Sequence, residues 1–278
     1  MTIIALEPNR SLLARMWDMC LQKPERPLSI LLFIVVIALW EGTVWVFDIP
    51  PIIIPSASAV AASLYDGVSS GILLSNAAVT FEEVLVGFVL GSLLGLALGA
   101  IISQFPLLEK TLYPYIVAFQ TIPKIAIAPI IVIWFGFGMS SKVIISAAIA
   151  FFPLLANTIA GLRAAPADQI ELLVAFTASK WQVFRHARVP QALPYIFVGL
   201  DVAIVLSVIG AIAGEFVGAQ GGLGYLILQK NFTMDMSGVF AVLVVLSIMG
   251  IGLHLGVRTV QRKIVFWLED EQDRVIGA

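Results

Sequence analysis

Six apolar stretches recur along this 278-residue chain, and each has about the length that crosses a lipid bilayer. A membrane-spanning helix needs about 20 mostly apolar residues, and its helical form satisfies the backbone groups that water cannot reach. Only 12% of the residues are charged, whereas soluble domains carry about 25%. The sequence therefore predicts an all-α, polytopic membrane protein with spans at residues 28–47, 84–103, 112–135, 142–162, 195–216 and 239–257.

Prolines and glycines indicate where these spans bend or pack closely. Span 3 is expected to be interrupted at Pro123-Lys124 and at Pro129, because proline lacks a backbone donor. Residues 48–83 contain no lysine or arginine and are predicted to form short helices at the membrane surface. Span 2 carries four glycines at a spacing of four, which lets two membrane helices approach closely: Gly87, Gly91, Gly95 and Gly99.

The basic residues predict the orientation. With the N-terminus inside, thirteen Lys and Arg fall on inner segments and two, Lys142 and Lys230, on outer ones. The positive-inside rule then places both termini in the cytoplasm. The first apolar run is longer than a signal-peptide core and no cleavage site follows closely, so we interpret it as a retained span. We predict a cytoplasmic arm at 1–27, a six-span domain at 28–265 and a cytoplasmic tail at 266–278.

A polar segment between spans 4 and 5, residues 166–194, has the pattern of two short helices joined by a turn. Pro166 suits a first helical position, and Ser179 is placed to cap the second helix. That second helix is expected to end at Val189-Pro190, because proline disfavours helix at the residue before it. We interpret this segment as a rigid element, exposed in the cytoplasm, on which another protein acts.

Catalytic chemistry within this chain is not indicated. The sequence has one cysteine, Cys20, and two histidines, His186 and His254, without a metal-ligand or nucleophile–base pattern. It also lacks the GxxxxGK[ST] loop that cradles nucleotide phosphates. We therefore expect no cofactor and no metal in this chain, and ATP hydrolysis on a separate one.

The 166–194 segment resembles the EAA loop of ABC importer permeases, a cytoplasmic helix–turn–helix that docks on the ATPase subunit. The pattern's turn glycine is replaced by Thr177, and its Leu-Pro by Val-Pro. A β-branched residue is unfavourable where φ is positive, so the turn is either made differently or stores strain. The residues that occupy the places of the pattern are Glu171, Ala175, Thr177, Ala178, Ser179, Val189 and Pro190.

Over about residues 30–265 the chain is similar to the nitrate/sulfonate/taurine (NitT/TauT-type) branch of these permeases. One departure is Asp201, where members of the branch often carry arginine. The motifs that carry the similarity are Trp40-Glu41, Pro55-Ser56, Ile122-Pro123-Lys124, Ala128-Pro129, Trp134-Phe135-Gly136, Phe152-Pro153 and Glu215 with Gly221-Gly222-Leu223-Gly224.

This resemblance implies a type I ABC importer permease with a coupling loop at residues 163–194. Two copies, expected to be a homodimer, would form a pathway in the bacterial cytoplasmic (inner) membrane for a small anion: nitrate, bicarbonate, a sulfonate, an aromatic acid or a pyrimidine precursor. Two cytoplasmic ATPase subunits would hold ATP and Mg²⁺, and a periplasmic or extracellular binding protein would deliver the solute. No nucleic-acid partner is implied. The alternative is a stand-alone secondary transporter or channel, although no clear repeat relates residues 28–135 to 142–257.

The resemblance assigns coupling to the ATPase to seven residues: Glu171, Ala175, Phe176, Thr177, Ala178, Ser179 and Arg185. His186 would lie on the same surface. Elsewhere, Glu41 is expected to be structural, and His254 to be an interfacial side chain near the inner end of span 6.

Lys124 lies near the middle of span 3, where a charge is costly and indicates function. Two interpretations remain at this stage. Lys124 attracts an anion in the pathway, or it is paired with Glu215 or Asp201, or with carbonyls that the prolines free.

Glu215 is likewise placed on the pathway at its outer mouth. There it either gates the pathway and contacts the binding protein together with Gly221, Gly222 and Gly224, or caps a helix end beside a flexible turn.

Overall fold

The computed structural model describes residues 25–267, which are almost entirely helical. The predicted arm and tail therefore lie largely outside the described residues, although the arm was expected to extend to residue 27 and the first helix begins at Glu25. In chain order the helices are α1 (Glu25–Val46), α2 (Ala57–Ser69), α3 (Ile72–Gln104), α4 (Pro106–Thr121), α5 (Ala128–Phe135), α6 (Met139–Arg163), α7 (Ala167–Ala175), α8 (Lys180–Val183), α9 (Val189–Gly218), α10 (Leu223–Phe232) and α11 (Met236–Ile264).

Five helices of the described part are long and apolar enough to cross a membrane. They are α1, α3, α6, α11 and the continuous helix Lys180–Gly218, which joins α8 to α9. A sixth candidate span is α4 with the following Lys124–Phe135 piece, bent by 80°. The prediction of an all-α polytopic membrane protein is confirmed, and five or six candidate spans, the third of them broken at Pro123, agree with the six predicted. The orientation of the termini stays a prediction.

The N-terminal boundary of span 2 was predicted incorrectly. Helix α3 begins at Ile72 rather than at residue 84, so residues 72–83 belong to the long helix and not to a surface segment. Polar residues lower the hydropathy of this part, but two of them, Thr80 and Glu83, lie on its buried face. Only α2, separated from α3 by Gly71 at φ 78°, is a short helix of the kind predicted for this region.

Helices α3, α6 and α9 form the centre of the molecule, and the glycines of α3 make their contact possible. A Cβ at Gly91 would collide with the carbonyl of Ala147 in α6. A Cβ at Gly95 would lie 2.9 Å from the Phe151 carbonyl, and one at Gly99 2.7 Å from Cβ of Thr158. The close packing predicted from the four-residue glycine spacing is confirmed, with α6 as the partner.

Residues of α3 nearer its N-terminus, Leu73 and Val84, contribute to an apolar cluster with α9, α10 and α11. Helix α1 is peripheral by comparison and is attached mainly through α2. The Glu41 carboxylate accepts hydrogen bonds from the hydroxyl (2.7 Å) and backbone N–H (3.1 Å) of Ser58, and the Trp40 indole donates to the Pro55 carbonyl (3.1 Å). Glu41 thus makes the structural contact expected of it.

Candidate functional site

Helix α7 ends in a turn at which Thr177 adopts φ 60°, the left-handed region. The Thr177 N–H donates to the Val174 carbonyl (2.9 Å), and the Ala178 N–H donates to the Leu173 carbonyl five residues back (3.0 Å). These bonds close a Schellman-type helix end, whose left-handed position is usually glycine. We call residues 175–179 the threonine turn. Of the two alternatives left open from the sequence, a turn made differently or a turn that stores strain, the positive φ of Thr177 agrees with the second.

Ser179 caps the second helix as predicted. Its hydroxyl accepts from the Gln182 N–H (3.3 Å), and the Gln182 side chain accepts from the Ser179 N–H (2.7 Å), which completes a capping box. The threonine turn is therefore fixed on both sides, by the end of α7 and by the capped start of α8.

The predicted helix end at Val189-Pro190 is wrong, because α8 continues into α9 through one π-helical turn, Phe184–Arg188. In this turn the Val189 N–H donates to the Phe184 carbonyl, five residues back. A π-turn relieves the clash that a proline ring otherwise makes with the carbonyl four residues earlier. The hairpin formed by α7, the threonine turn and α8 is thus continuous with a membrane span. A displacement of the threonine turn therefore acts on α9 directly.

The surface around the threonine turn is apolar and exposed. Phe176 is 77% exposed, and Leu172 and Val174 are also exposed. All seven residues predicted to couple to an ATPase lie on α7, in the turn or shortly after it, and only Ala178 is half-buried. His186 is exposed nearby. The structure therefore groups the predicted coupling residues on one protruding hairpin. Trp181 is also exposed; it stacks on Phe184 (5.6 Å between ring centroids), and both line a pocket beside the end of α3.

The third span breaks immediately before Lys124, where Ile122 and Pro123 are extended. The Lys124 ammonium donates to the Gln120 carbonyl (3.2 Å) and lies 5.1 Å from the centroid of the Phe152 ring. The expected alternative of a pair with Glu215 or Asp201 is not found. A carbonyl left without its helical partner at the break holds one side of the ammonium, as the other structural alternative predicted.

A cavity of about 470 Å³ opens beside Lys124, between the break and the middles of α6 and α9. Of the two residues predicted from the sequence to lie on the pathway, Lys124 lines this cavity and Glu215 does not. The lining residues are Gln120, Pro123, Lys124, Ile125, Ile149, Phe152, Pro153, Ala156, Asn157, Leu206 and Ile209.

Glu215 is buried (1% exposed) at the end of α9, beneath the loop from Gly218 to Gly224, which we call the glycine loop. Its carboxylate accepts from the Thr80 hydroxyl (2.6 Å) and from the Gly224 N–H. Gly222, at φ 108°, and Gly224 are buried against this carboxylate, and a Cβ on either would collide with it. This geometry is that of a helix end capped by a tight loop. A contact between these residues and a binding protein stays a prediction.

Two buried ionisable side chains beside the glycine loop, Glu83 and Lys142, were not predicted from the sequence to be functional. Glu83 (3% exposed) faces the Glu215 carboxyl, and its Oε2 lacks a hydrogen-bond partner among the described residues. Lys142, expected on an outer segment, is 2% exposed. It donates to the carbonyls of Phe137, Gly138 (3.0 Å) and Gly218 (3.1 Å) and thereby ties α6 to the end of α9. The sequence held a signal for Glu83, because it extends the glycine spacing by one step, 83–87–91–95–99.

Other ion pairs fix the helices around these sites. His254 of α11 lies 2.5 Å from a carboxylate oxygen of Asp201 of α9, a contact that becomes an ion pair when the histidine is protonated. The interfacial position expected of His254 stays a prediction. Asp235, between α10 and α11, is paired with Lys230 (2.8 Å) and caps α11. Burial raises the pKa of Asp235, but the hydrogen bonds from Lys230 and from the Gly238 N–H outweigh it and lower that pKa below its ordinary value. Asp235 is therefore ionised at neutral pH.

Comparison with known proteins agrees with this architecture. The family model described as "Binding-protein-dependent transport system inner membrane component" matches residues 87–266. The chain is 34% identical over 241 residues to the riboflavin transport system permease protein RibX of Chloroflexus aurantiacus, covering 87% of this chain and 89% of that protein. It is 33% identical over 237 residues to the formylaminopyrimidine transport permease protein ThiX of Halalkalibacterium halodurans, covering 85% and 94%.

Among solved structures, a chain of the MetNI methionine ABC transporter in an inward-facing conformation has a similar fold. Its TM-score is 0.61 at 22% sequence identity, and the match covers 69% of this chain and 96% of that one.

Proposed function

We propose that this chain, which belongs to the family of binding-protein-dependent transport system inner membrane components, forms the membrane pathway of an ATP-driven importer. It is an integral membrane protein and an ABC transporter permease subunit for a small solute. We place it in the bacterial inner membrane, as a homodimer with two ATPase subunits on the cytoplasmic side and a binding protein outside. ATP and Mg²⁺ belong to the ATPase subunits in this proposal.

The observation that carries the proposal is the hairpin of α7, the threonine turn and α8. Its tip exposes Phe176, Leu172 and Val174, and large exposed apolar side chains on a polar segment are typical of protein–protein contacts. Since α8 continues into α9 through Phe184–Arg188, a displacement of the tip moves a membrane span. Such an element can transmit the closure of an ATPase dimer to the pathway.

We propose an anionic solute, from the classes of sulfonates, aromatic acids, pyrimidine precursors, nitrate and bicarbonate. Lys124, half-buried at the break of the third span, supports the charge. The names of RibX and ThiX refer to riboflavin and formylaminopyrimidine, so two of the relatives are named for organic solutes.

Substitution Ala178→Asp tests the coupling surface. A carboxylate at this half-buried position of the threonine turn would be desolvated in the contact with the ATPase, so we expect the ATPase no longer to co-purify and transport to be lost. The amount of permease in the membrane should not change. The matched control is Ala167→Asp at the exposed start of α7, where a helix tolerates a negative charge. Unchanged co-purification of the ATPase with Ala178→Asp would contradict the assignment.

A further inference from the structure

The cavity beside Lys124 has the size and lining of a site for an organic molecule. Pockets that enclose drug-sized ligands have volumes of about 300–1,000 Å³, and this cavity has about 470 Å³. Ile149, Leu206 and Phe152 supply apolar walls. A small inorganic anion would leave these walls in contact with water, whereas an apolar body covers them.

Lys124 is the sole ionisable side chain among the residues that line the cavity. An ammonium has three donors, and the bond to the Gln120 carbonyl uses one of them. The Phe152 ring, 5.1 Å from the ammonium, steadies it without supplying a negative charge. The remaining donors and the single positive charge match one carboxylate or sulfonate group.

Asn157 adds a second polar contact on the α6 side of the cavity. Its amide nitrogen donates to the Pro153 carbonyl (2.8 Å), which fixes the side chain. The amide keeps its oxygen, which accepts hydrogen bonds, and one further N–H, which donates. A hydroxyl group on a ligand can use either, because a hydroxyl group both donates and accepts.

We propose that this cavity binds an organic monoanion with an apolar body and a hydroxyl group distant from its charged group. The anionic group binds Lys124, the body contacts the walls from α6 and α9, and the hydroxyl group reaches Asn157. This inference rests on the proposed function, because a site in the middle of a span is reached by a solute only through a pathway.

The test uses the permease purified with its ATPase in nanodiscs, without the binding protein. The probe is radiolabelled 4-hydroxybenzoate, with unlabelled benzoate and nitrate as competitors. We expect saturable binding that benzoate displaces more weakly and nitrate does not displace. Lys124→Gln should weaken binding by about tenfold or more, because it removes a charge-assisted hydrogen bond. Lys124→Arg should retain most of it, and Lys110→Gln, which removes an exposed charge from α4, should change nothing.

Asn157→Leu should bring the affinities for benzoate and 4-hydroxybenzoate together, since the two differ only in the hydroxyl group. Gel filtration checks that each variant is folded. No saturable binding, displacement by nitrate as strong as by benzoate, or unchanged binding by Lys124→Gln would each overturn the proposal. Co-purification of the ATPase is scored separately: if it fails for the unaltered chain, the proposed function fails, and if it succeeds without binding of 4-hydroxybenzoate, only the cavity assignment does.

Discussion

The glycine loop and the threonine turn both reverse the chain at a helix end with one residue at positive φ, yet they are built in opposite ways. In the glycine loop that residue is Gly222 (φ 108°), which is buried against Glu215. In the threonine turn it is Thr177 (φ 60°), whose surroundings are exposed. In the glycine loop, both the lack of space and the backbone conformation favour glycine. In the threonine turn, only the backbone conformation does.

This difference separates two reasons for glycine that a sequence pattern does not distinguish. A left-handed residue with a side chain costs about 1–2 kcal/mol, which a folded protein tolerates at one position. A Cβ at Gly222 would displace the end of the Glu215 side chain, which could move only by giving up its hydrogen bonds to Thr80 and Gly224. The exposed turn can therefore keep Thr177, while a side chain at Gly222 would disrupt the contacts of Glu215.

The largest effect is expected from Gly222→Ala. Its Cβ would collide with the Glu215 carboxylate and would also occupy an unfavourable φ, so we expect destabilisation by about 3 kcal/mol or more. The measurement is the Tm of the purified permease–ATPase complex. Gly221→Ala is the matched control, because its nearest neighbour, Oδ1 of Asn76, would be 3.9 Å from the new Cβ. Equal Tm values for the two variants would show that the loop is not closed on Glu215.

A smaller effect is expected from Glu215→Gln, which keeps the shape of the side chain but gives one end an N–H₂ group. That group would face either the Gly224 N–H, which would then be unpaired, or the Thr80 hydroxyl, which would then have to donate to the Asn76 carbonyl at the longer distance of 3.3 Å. Leaving one buried donor unpaired costs about 1–3 kcal/mol. The control is Glu82→Gln on the exposed face of α3. If both exchanges lower the Tm equally, the effect of Glu215 is one of charge rather than of its hydrogen bonds.

Much of the helical framework follows from local sequence signals. The glycine spacing in α3 predicted close packing because a small residue every four positions lies along one face. Pro123 predicted the break in the third span because proline cannot donate to the helix ladder. The same local rule failed at Pro190, since a π-turn absorbs the proline and lets the membrane helix extend to Lys180.

The buried charges could not be predicted as readily, because their partners are distant in the sequence. Thr80 and Glu215 are separated by 135 positions in the sequence. The Thr80 hydroxyl also accepts a hydrogen bond from the Leu223 N–H, which is 143 positions away. Two of the carbonyls around Lys142, those of Phe137 and Gly138, are near it in the sequence, but the third, of Gly218, is 76 positions away and buries the charge against the end of α9. The threonine turn could be predicted from the sequence because all its hydrogen bonds join residues within five positions of one another.

The smallest effect, and the most specific test of the comparison, is expected from Thr177→Gly. Glycine has no Cβ penalty at φ 60° but loses more entropy on folding, so we expect the hairpin to gain about 0.5–1 kcal/mol. Hydrogen exchange of residues 167–188 measures this gain locally, where a Tm would not resolve it. Thr177→Ala removes the hydroxyl and keeps the Cβ, so it should bring no gain. If alanine protects the hairpin as well as glycine does, the hydroxyl destabilises the turn and the backbone is unstrained. If glycine alone does so, the chain tolerates strain at the exposed turn, where no neighbouring atom forbids a side chain.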